Sequence, residues 1–142
     1  MRQVNLGIIG GGTAGSAAAV FLARSGHRVT VYERVAEPRP VGAGITIQPT
    51  GLHVLLKLGL YDHVVGRGAR IDRLVCETRA RRAIVDLRYE TVGEGLFGVG
   101  LHRGVLFEAL QAAVARERVA IRTGVEIVDL ARAPGSRETW LL

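Results

Sequence analysis

Apolar and small residues at the start of the chain follow a strand–helix–strand pattern. Residues 4–9 are an apolar run, residues 13–25 are mostly small or apolar, and residues 28–33 alternate closely between apolar and polar side chains. Two short apolar runs on either side of a helical segment are typical of parallel strands joined by a crossover helix. Gly26 stands where a glycine commonly ends such a helix. The pattern therefore predicts a βαβ unit.

Shorter elements are predicted in the next part of the chain. A strand at residues 45–47 is followed by a helix that begins at Pro49, where the missing N–H costs nothing, and ends at Gly59. Three leucines are predicted to form the buried stripe of this helix: Leu52, Leu55 and Leu56. Residues 64–71 are predicted to be a loop.

An antiparallel hairpin is predicted from two strand-like runs at residues 74–78 and 83–89, and it differs from the parallel elements before it. The turn between the runs is basic, and we interpret it as a solvated turn rather than a phosphate-binding patch; its arginines are Arg79, Arg81 and Arg82. A flexible passage is predicted after the hairpin from four glycines, Gly93, Gly95, Gly98 and Gly100.

The pattern in the last part of the chain predicts one helix and three strands. The helix follows Arg103 and has an apolar face made of Leu106, Leu110, Ala113 and Val114. Strands are predicted at residues 119–122, 126–131 and 138–142, the first of them parallel. Because an apolar strand without a cap or a following element leaves an unprotected edge, we expect the chain to be part of a longer protein.

The turn between the first strand and the first helix carries the sequence Gly10-Gly11-Gly12-Thr13-Ala14-Gly15. In such a turn the first glycine permits the tight bend, the second lets the backbone approach a diphosphate, and the third lets the helix lie close to the sheet. Glu33 ends the second strand, where a carboxylate accepts hydrogen bonds from ribose hydroxyls. The combination predicts a dinucleotide site in a Rossmann-like α/β fold; the alternative is a βαβ turn that is merely rich in glycine.

Composition places the chain among globular proteins. Its 142 residues suffice for one domain with a core, 48% are hydrophobic and 23% are charged. The net charge of +6 comes from scattered arginines, and aromatic residues are too few for single-strand nucleic-acid binding. No run reaches the length of a membrane span, and the apolar start is too short and broken for a signal peptide. We therefore predict a cytoplasmic protein that binds neither nucleic acid nor membrane.

Metal and thiol chemistry is not expected. The single cysteine, Cys76, excludes an internal disulfide and lies in an apolar run, which predicts a buried, inert thiol. The four histidines lack the spacing of metal ligands.

Several motifs in a fixed order resemble one family. They are the glycine turn, Glu33-Arg34, Gly42-Ala43-Gly44-Ile45, Gln48-Pro49 before a leucine-rich helix, and Leu101-His102-Arg103. In this order they resemble the FAD-dependent monooxygenases, specifically the single-component aromatic hydroxylases of the para-hydroxybenzoate hydroxylase type. The resemblance covers nearly the whole chain but only the N-terminal, FAD-binding portion of the family.

The resemblance implies cofactor contacts at matching positions. The diphosphate of FAD would lie against Gly10, Gly12, Thr13, Ala14 and Gly15. Glu33 would hold the adenosine ribose, with Arg34 beside it, and the backbone at residues 125–127 would approach adenine. The flavin side of the cofactor would lie along Arg39 and a loop of Gly42, Ala43 and Gly44. Arg103 would reach the phosphates or the ribitol. Neither a catalytic residue nor a metal ligand is implied.

The resemblance also implies a function and an incompleteness. Complete members use NAD(P)H and O2 to hydroxylate a small aromatic or polyketide-like substrate, and the flavin carries that chemistry. The family's later Asp-Gly and Gly-Asp motifs, which contact FAD, do not occur here. We therefore expect residues 1–142 to be an incomplete FAD-binding domain that binds flavin weakly, with a hairpin at about 71–92 that belongs to the start of the substrate-domain sheet.

Two alternatives remain open: a catalytically inactive FAD-binding remnant, and an NAD(P)-binding subunit of another oxidoreductase. The residues do not indicate the substrate, the choice between NADH and NADPH, or the oligomeric state.

Overall fold

The computed structural model describes residues 2–40, 42–135 and 140–141. Its elements, in chain order, are β1 (Asn5–Ile9), α1 (Thr13–Arg24), β2 (Arg28–Glu33), β3 (Gly44–Ile47), α2 (Pro49–Leu58), α3 (Tyr61–Val65), β4 (Ala69–Ile71), β5 (Arg73–Glu77), β6 (Ala83–Arg88), a 3-10 turn (Tyr89–Thr91), β7 (Gly98–His102), α4 (Arg103–Arg116), β8 (Ala120–Thr123), β9 (Ala131–Arg132) and β10 (Trp140–Leu141). The chain divides into two units, one of Met1–Arg39 with Leu110–Leu142 and one of Pro40–Ala109.

The first unit contains the predicted βαβ arrangement. β1, β2 and β8 form a parallel sheet in the order β1-β2-β8, in which Ile8 lies opposite Val31 and Val31 opposite Ile121. α1 supplies small side chains to the core of this unit, where Ala19 packs with Val29 and Val31. β9 and β10 form a separate antiparallel pair.

The second unit is built on antiparallel pairing. β7 lies between β3 and β4, and β5 pairs with β6 in a separate two-stranded hairpin. The leucines of α2 and the residues after it supply much of its buried core: Leu52, Leu55, Leu58, Leu60 and Val64. α4 begins with Arg103 in this unit and continues through Leu110 into the first.

Many predicted elements are confirmed. α1, β2, α2 and β8 lie within one or two residues of their predicted bounds, and α4 begins at Arg103, one residue before its predicted start. The hairpin turn falls at the predicted basic residues. Gly59 adopts a left-handed conformation with φ of 72° directly after α2, as expected of a C-terminal cap. The predicted apolar face of α4 is buried at all four positions.

The predicted loop at residues 64–71 is partly wrong, because only residues 66–68 lie outside helix and strand. Its first residues complete α3, and Ala69–Ile71 form β4, which pairs with β7. The strand is only three residues long, so local periodicity gives too little signal to detect it.

The predicted flexible passage at residues 93–100 is also partly wrong, because Gly98 and Gly100 lie in β7. These glycines allow close packing rather than flexibility. A Cβ on Gly98 would lie 2.8 Å from the Tyr89 hydroxyl oxygen, and one on Gly100 would lie 3.0 Å from Cδ1 of Ile71.

Three further predictions need correction. Leu56 is 61% exposed, and Leu58 takes its place in the buried stripe because positions 52, 55 and 58 share a face.

Cys76 is exposed rather than buried, since both faces of the hairpin are open within this unit. The predicted strand at residues 126–131 is irregular up to β9, because Gly124, with φ of 70°, ends the ladder of β8.

The predicted strand at residues 138–142 coincides with β10 at Trp140–Leu141, and its other positions lie outside the described residues. Across the described part of the chain, none of the helices has the length and apolar character that a membrane span requires.

Candidate functional site

The turn between β1 and α1 is bent by Gly10 and closed by Gly15. Gly10 has φ of 94°, a conformation that side chains rarely adopt, and its N–H donates to the Tyr32 carbonyl of β2 at 2.8 Å. A Cβ on Gly15 would overlap the Gly10 carbonyl oxygen and lie 3.3 Å from Cγ2 of Ile8. The first turn of α1 therefore lies directly against the end of β1.

The N-terminus of α1 is open to a ligand. Gly12 is the N-cap residue and has no side chain that could cap the helix, and the first turn carries no acidic residue. A Cβ on Gly12 would meet nothing within 4 Å. The unpaired N–H groups of the first helical turn carry partial positive charge and favour an anion. These features fit the diphosphate of a dinucleotide.

Glu33 lies beside this turn. Its Oε2 accepts a hydrogen bond from the Gly11 N–H at 2.7 Å, and its Oε1 accepts one from the Val35 N–H at 2.9 Å. The N–H groups of Val35 and Gly11, in that order, hold the pKa of the Glu33 carboxyl below its usual value of 4.5, although burial opposes them. Glu33 is therefore an ionised acceptor at neutral pH, with Arg34 adding a smaller favourable charge.

The segment after β8 also reaches Glu33. The Val125 N–H donates to the Glu33 carbonyl at 3.0 Å, and the Gly124 N–H donates to the Val35 carbonyl at 3.3 Å. Within the first unit, the structure thus brings together the glycine turn, Glu33 and the backbone at residue 125.

A second group of predicted residues lies in the other unit. Gly42 has φ of 112°, and a Cβ there would lie 3.1 Å from Nη1 of Arg103. The Arg103 N–H donates to the Ala43 carbonyl at 3.3 Å. Arg103 is the exposed first residue of α4, next to the start of β3 at Gly44. The loop of Gly42, Ala43 and Gly44 and the Arg103 guanidinium are therefore neighbours.

Arg39 lies in an exposed segment after β2. Its Nη2 is 2.5 Å from Oε2 of Glu37, which is equally exposed. Its predicted role along the flavin stays a prediction.

Two residues that contact the turn, Ser16 and Gln111, were not predicted from the sequence. Ser16 is buried on α1 and donates from Oγ to the Gly11 carbonyl at 2.9 Å. Gln111 on α4 places its Nε2 3.4 Å from the same carbonyl and 3.4 Å from the Ser16 Oγ. Ser16 offered a weak signal, a polar residue among alanines. Gln111 offered no local signal because its partner is 100 positions away.

These features define a class of protein. A parallel βαβ unit with a glycine turn, an uncapped helix N-terminus and an ionised carboxylate at the end of the second strand is a dinucleotide-binding domain. A family model described as "FAD binding domain" matches residues 3–133, so the chain belongs to this family of FAD-binding domains.

Relatives of established name support this assignment. The chain is 31% identical to 3-hydroxybenzoate 6-hydroxylase 1 from Aquipseudomonas alcaligenes, over 96% of this chain and 36% of that protein. It is 33% identical to phenazine 1,6-dicarboxylic acid hydroxylase PhzS from Lysobacter antibioticus, over 89% of this chain and 32% of that protein.

Solved structures share the fold. The tetrameric form of 2-methyl-3-hydroxypyridine-5-carboxylic acid oxygenase matches with a TM-score of 0.72 and 27% identity, over 87% of this chain and 32% of that one. The probable FAD-dependent monooxygenase pqsL from Pseudomonas aeruginosa matches with a TM-score of 0.72 and 25% identity, over 93% of this chain and 35% of that one. The chain thus spans about a third of the length of each of these four proteins.

Proposed function

We propose that this chain is the N-terminal, FAD-binding part of a flavin-dependent monooxygenase that uses NAD(P)H and O2 to hydroxylate a small aromatic substrate. The observation that carries the proposal is the contact between the ionised Glu33 carboxylate and the Gly11 N–H, next to an open helix N-terminus. That arrangement offers amide donors for a diphosphate and a carboxylate acceptor for the neighbouring ribose.

The residues of the chain bind and orient the cofactor in this proposal. The N–H groups from Gly12 to Gly15 donate to the diphosphate, and Glu33 accepts from the ribose hydroxyls. Arg103, with the residues 42–44 beside it, supplies a positive charge for the phosphates or the ribitol. FAD itself, when bound, supplies the redox and oxygen chemistry.

The names of the relatives support an aromatic substrate. They describe proteins that act on a hydroxybenzoate, a phenazine dicarboxylic acid and a hydroxypyridine carboxylic acid. All three substrates are aromatic rings that carry a carboxylate. We infer the same class for the complete protein, with the hairpin of β5 and β6 as part of its substrate-domain sheet. A polyketide-like substrate and a cytoplasmic location stay predictions.

An inactive FAD-binding remnant is the second candidate. Both candidates predict FAD binding, which we expect to be weak in this chain alone.

Cofactor titration tests the binding proposal. We expect FAD fluorescence to be quenched by the chain, and ADP to compete, because both carry the adenosine diphosphate. FMN, which lacks it, should not bind. Binding of NADH or NADPH without binding of FAD would instead favour an NAD(P)-binding subunit.

Turnover separates the first candidate from the second. In the complete reading frame, NAD(P)H oxidation that depends on an aromatic acid and yields a hydroxylated product is expected. FAD binding without any such turnover would identify an inactive remnant.

A further inference from the structure

The Gly11 carbonyl is held on the inner side of the glycine turn by two side chains. Ser16, which is 2% exposed, donates to it at 2.9 Å, and Gln111 approaches it at 3.4 Å. Gln111 also lies 3.4 Å from the Ser16 hydroxyl, so the three groups form one small network. α1 and α4 thereby act on a single peptide of the turn.

This network determines the direction of the next amide. No cis peptide bond occurs among the described residues, and in a trans peptide the C=O and N–H groups point in opposite directions. Because the Gly11 carbonyl points toward Ser16 and Gln111, the Gly12 N–H points away from them. Gly12 is exposed, with open space beside its Cα, so that N–H is presented to the side where a ligand can approach.

The preceding peptide is fixed from another element. Glu33 accepts from the Gly11 N–H, and the Gly10 carbonyl on the other end of that peptide lies against Gly15. In the described part of the chain, the peptide between Gly11 and Gly12 is held at its carbonyl by Ser16 and Gln111.

We propose that Ser16 and Gln111 are positioning residues that hold the Gly11–Gly12 peptide so that the Gly12 N–H is aimed at the diphosphate of FAD, an inference that rests on the proposed FAD-binding function. Neither side chain touches the cofactor. Their contribution is preorganisation, since an amide already directed at an anion does not have to be reoriented on binding.

The chain offers matched controls for both residues. Ser25 also donates a hydroxyl to a backbone carbonyl, that of Phe21, at 2.9 Å, and Gln3 donates its amide to the Gly26 carbonyl at 2.9 Å. Both controls lie at the opposite end of α1 from the glycine turn. Ser25→Ala and Gln3→Met remove the same chemical groups without affecting the Gly11 carbonyl.

FAD affinity is the first measurement. We expect Ser16→Ala to weaken FAD binding about tenfold, the equivalent of one hydrogen bond, and Gln111→Met to weaken it less because its contact is longer. The loss of FAD affinity in the double variant should be smaller than the product of the two single-variant losses, since both side chains act on one carbonyl. Ser25→Ala and Gln3→Met should leave affinity unchanged, even where thermal stability falls.

The Gly12 amide resonance in ligand-free protein is the second measurement. We expect its chemical shift and hydrogen-exchange rate to change in Ser16→Ala and Gln111→Met and to stay constant in the two controls. An unchanged Gly12 resonance in both variants would overturn the proposal, whatever the affinity for FAD. Failure of the unmodified chain to bind FAD or ADP would instead count against the proposed function.

Discussion

The βαβ region at residues 5–33 and the hairpin at residues 73–88 expose very different shares of their apolar side chains. In the βαβ region Val20 and Val31 are almost fully buried, whereas in the hairpin Val75 is 49% exposed and Ile84 is 64% exposed. The first region is held by contacts among strands, helix and turn. Among the described residues, the main contacts of the hairpin are its cross-strand pairs. Substitutions should therefore have large effects in the first region and small effects in the second.

The largest expected effect is that of Gly15→Ala. The new methyl group would overlap the Gly10 carbonyl, which is backbone and cannot move without displacing β1. We expect a loss of more than about 3 kcal/mol of folding free energy, which is a large part of a typical domain's stability. Thermal unfolding followed by circular dichroism measures it. A cooperative transition at the wild-type temperature would show that the helix can shift away from the strand.

Gly12→Ala separates the effect on folding stability from the effect on FAD binding. Its methyl group meets nothing in the protein, and the φ of −71° suits alanine. We expect a stability loss of about 1 kcal/mol or less, from the poorer N-cap. FAD affinity should fall at least about tenfold because the methyl group occupies the approach of the diphosphate. Unchanged affinity in a fluorescence titration would place the diphosphate elsewhere.

Glu33→Gln should have an intermediate effect that depends on pH. Because the folded-state pKa lies below 4.5, the carboxylate stabilises the fold at neutral pH, and this contribution disappears as pH falls through the folded-state pKa. The amide keeps one acceptor and loses the charge, so we expect about 1 kcal/mol of destabilisation at neutral pH.

Urea unfolding at a series of pH values measures this effect. The difference in unfolding free energy between the wild type and Glu33→Gln should become smaller below pH 4.5. Glu37→Gln is the matched control because Glu37 is exposed and paired only through its side chain with Arg39 in the described contacts. An equal difference in unfolding free energy from the wild type in both variants, or a difference that does not change with pH, would contradict the role of the two backbone donors.

The smallest effect is expected in the hairpin. Arg73 donates from Nε and Nη2 to the two carboxylate oxygens of Asp86 at 2.6 and 2.7 Å, which lowers the pKa of Asp86. Both side chains are solvent-exposed, so Asp86→Asn should lower the melting temperature only slightly, and added salt should remove the difference. A fall as large as that of Gly15→Ala would show that the hairpin is integral to the core.

The glycines show why prediction succeeded in one region and failed in another. Gly10 and Gly15 follow a motif whose spacing implies both the turn and the close packing, and the structure has both. Gly98 and Gly100 follow no motif, and composition alone favoured flexibility. Their role in close packing depends on Tyr89 and Ile71, which pack over them from other elements. The local sequence around the two glycines does not indicate these contacts.

Local sequence by itself determined the βαβ unit, the bounds of α1, β2 and α2, and the identity of Glu33 as the acid beside the glycine turn. Periodicity, glycine spacing and helix caps act over a few residues, so they can be detected without knowledge of the fold. Tertiary structure alone decided that β7 is a central strand, that Leu58 replaces Leu56 in the core, and that Ser16 and Gln111 meet at one carbonyl. These outcomes depend on burial and on partners far apart along the chain, which become neighbours only after the strands have paired.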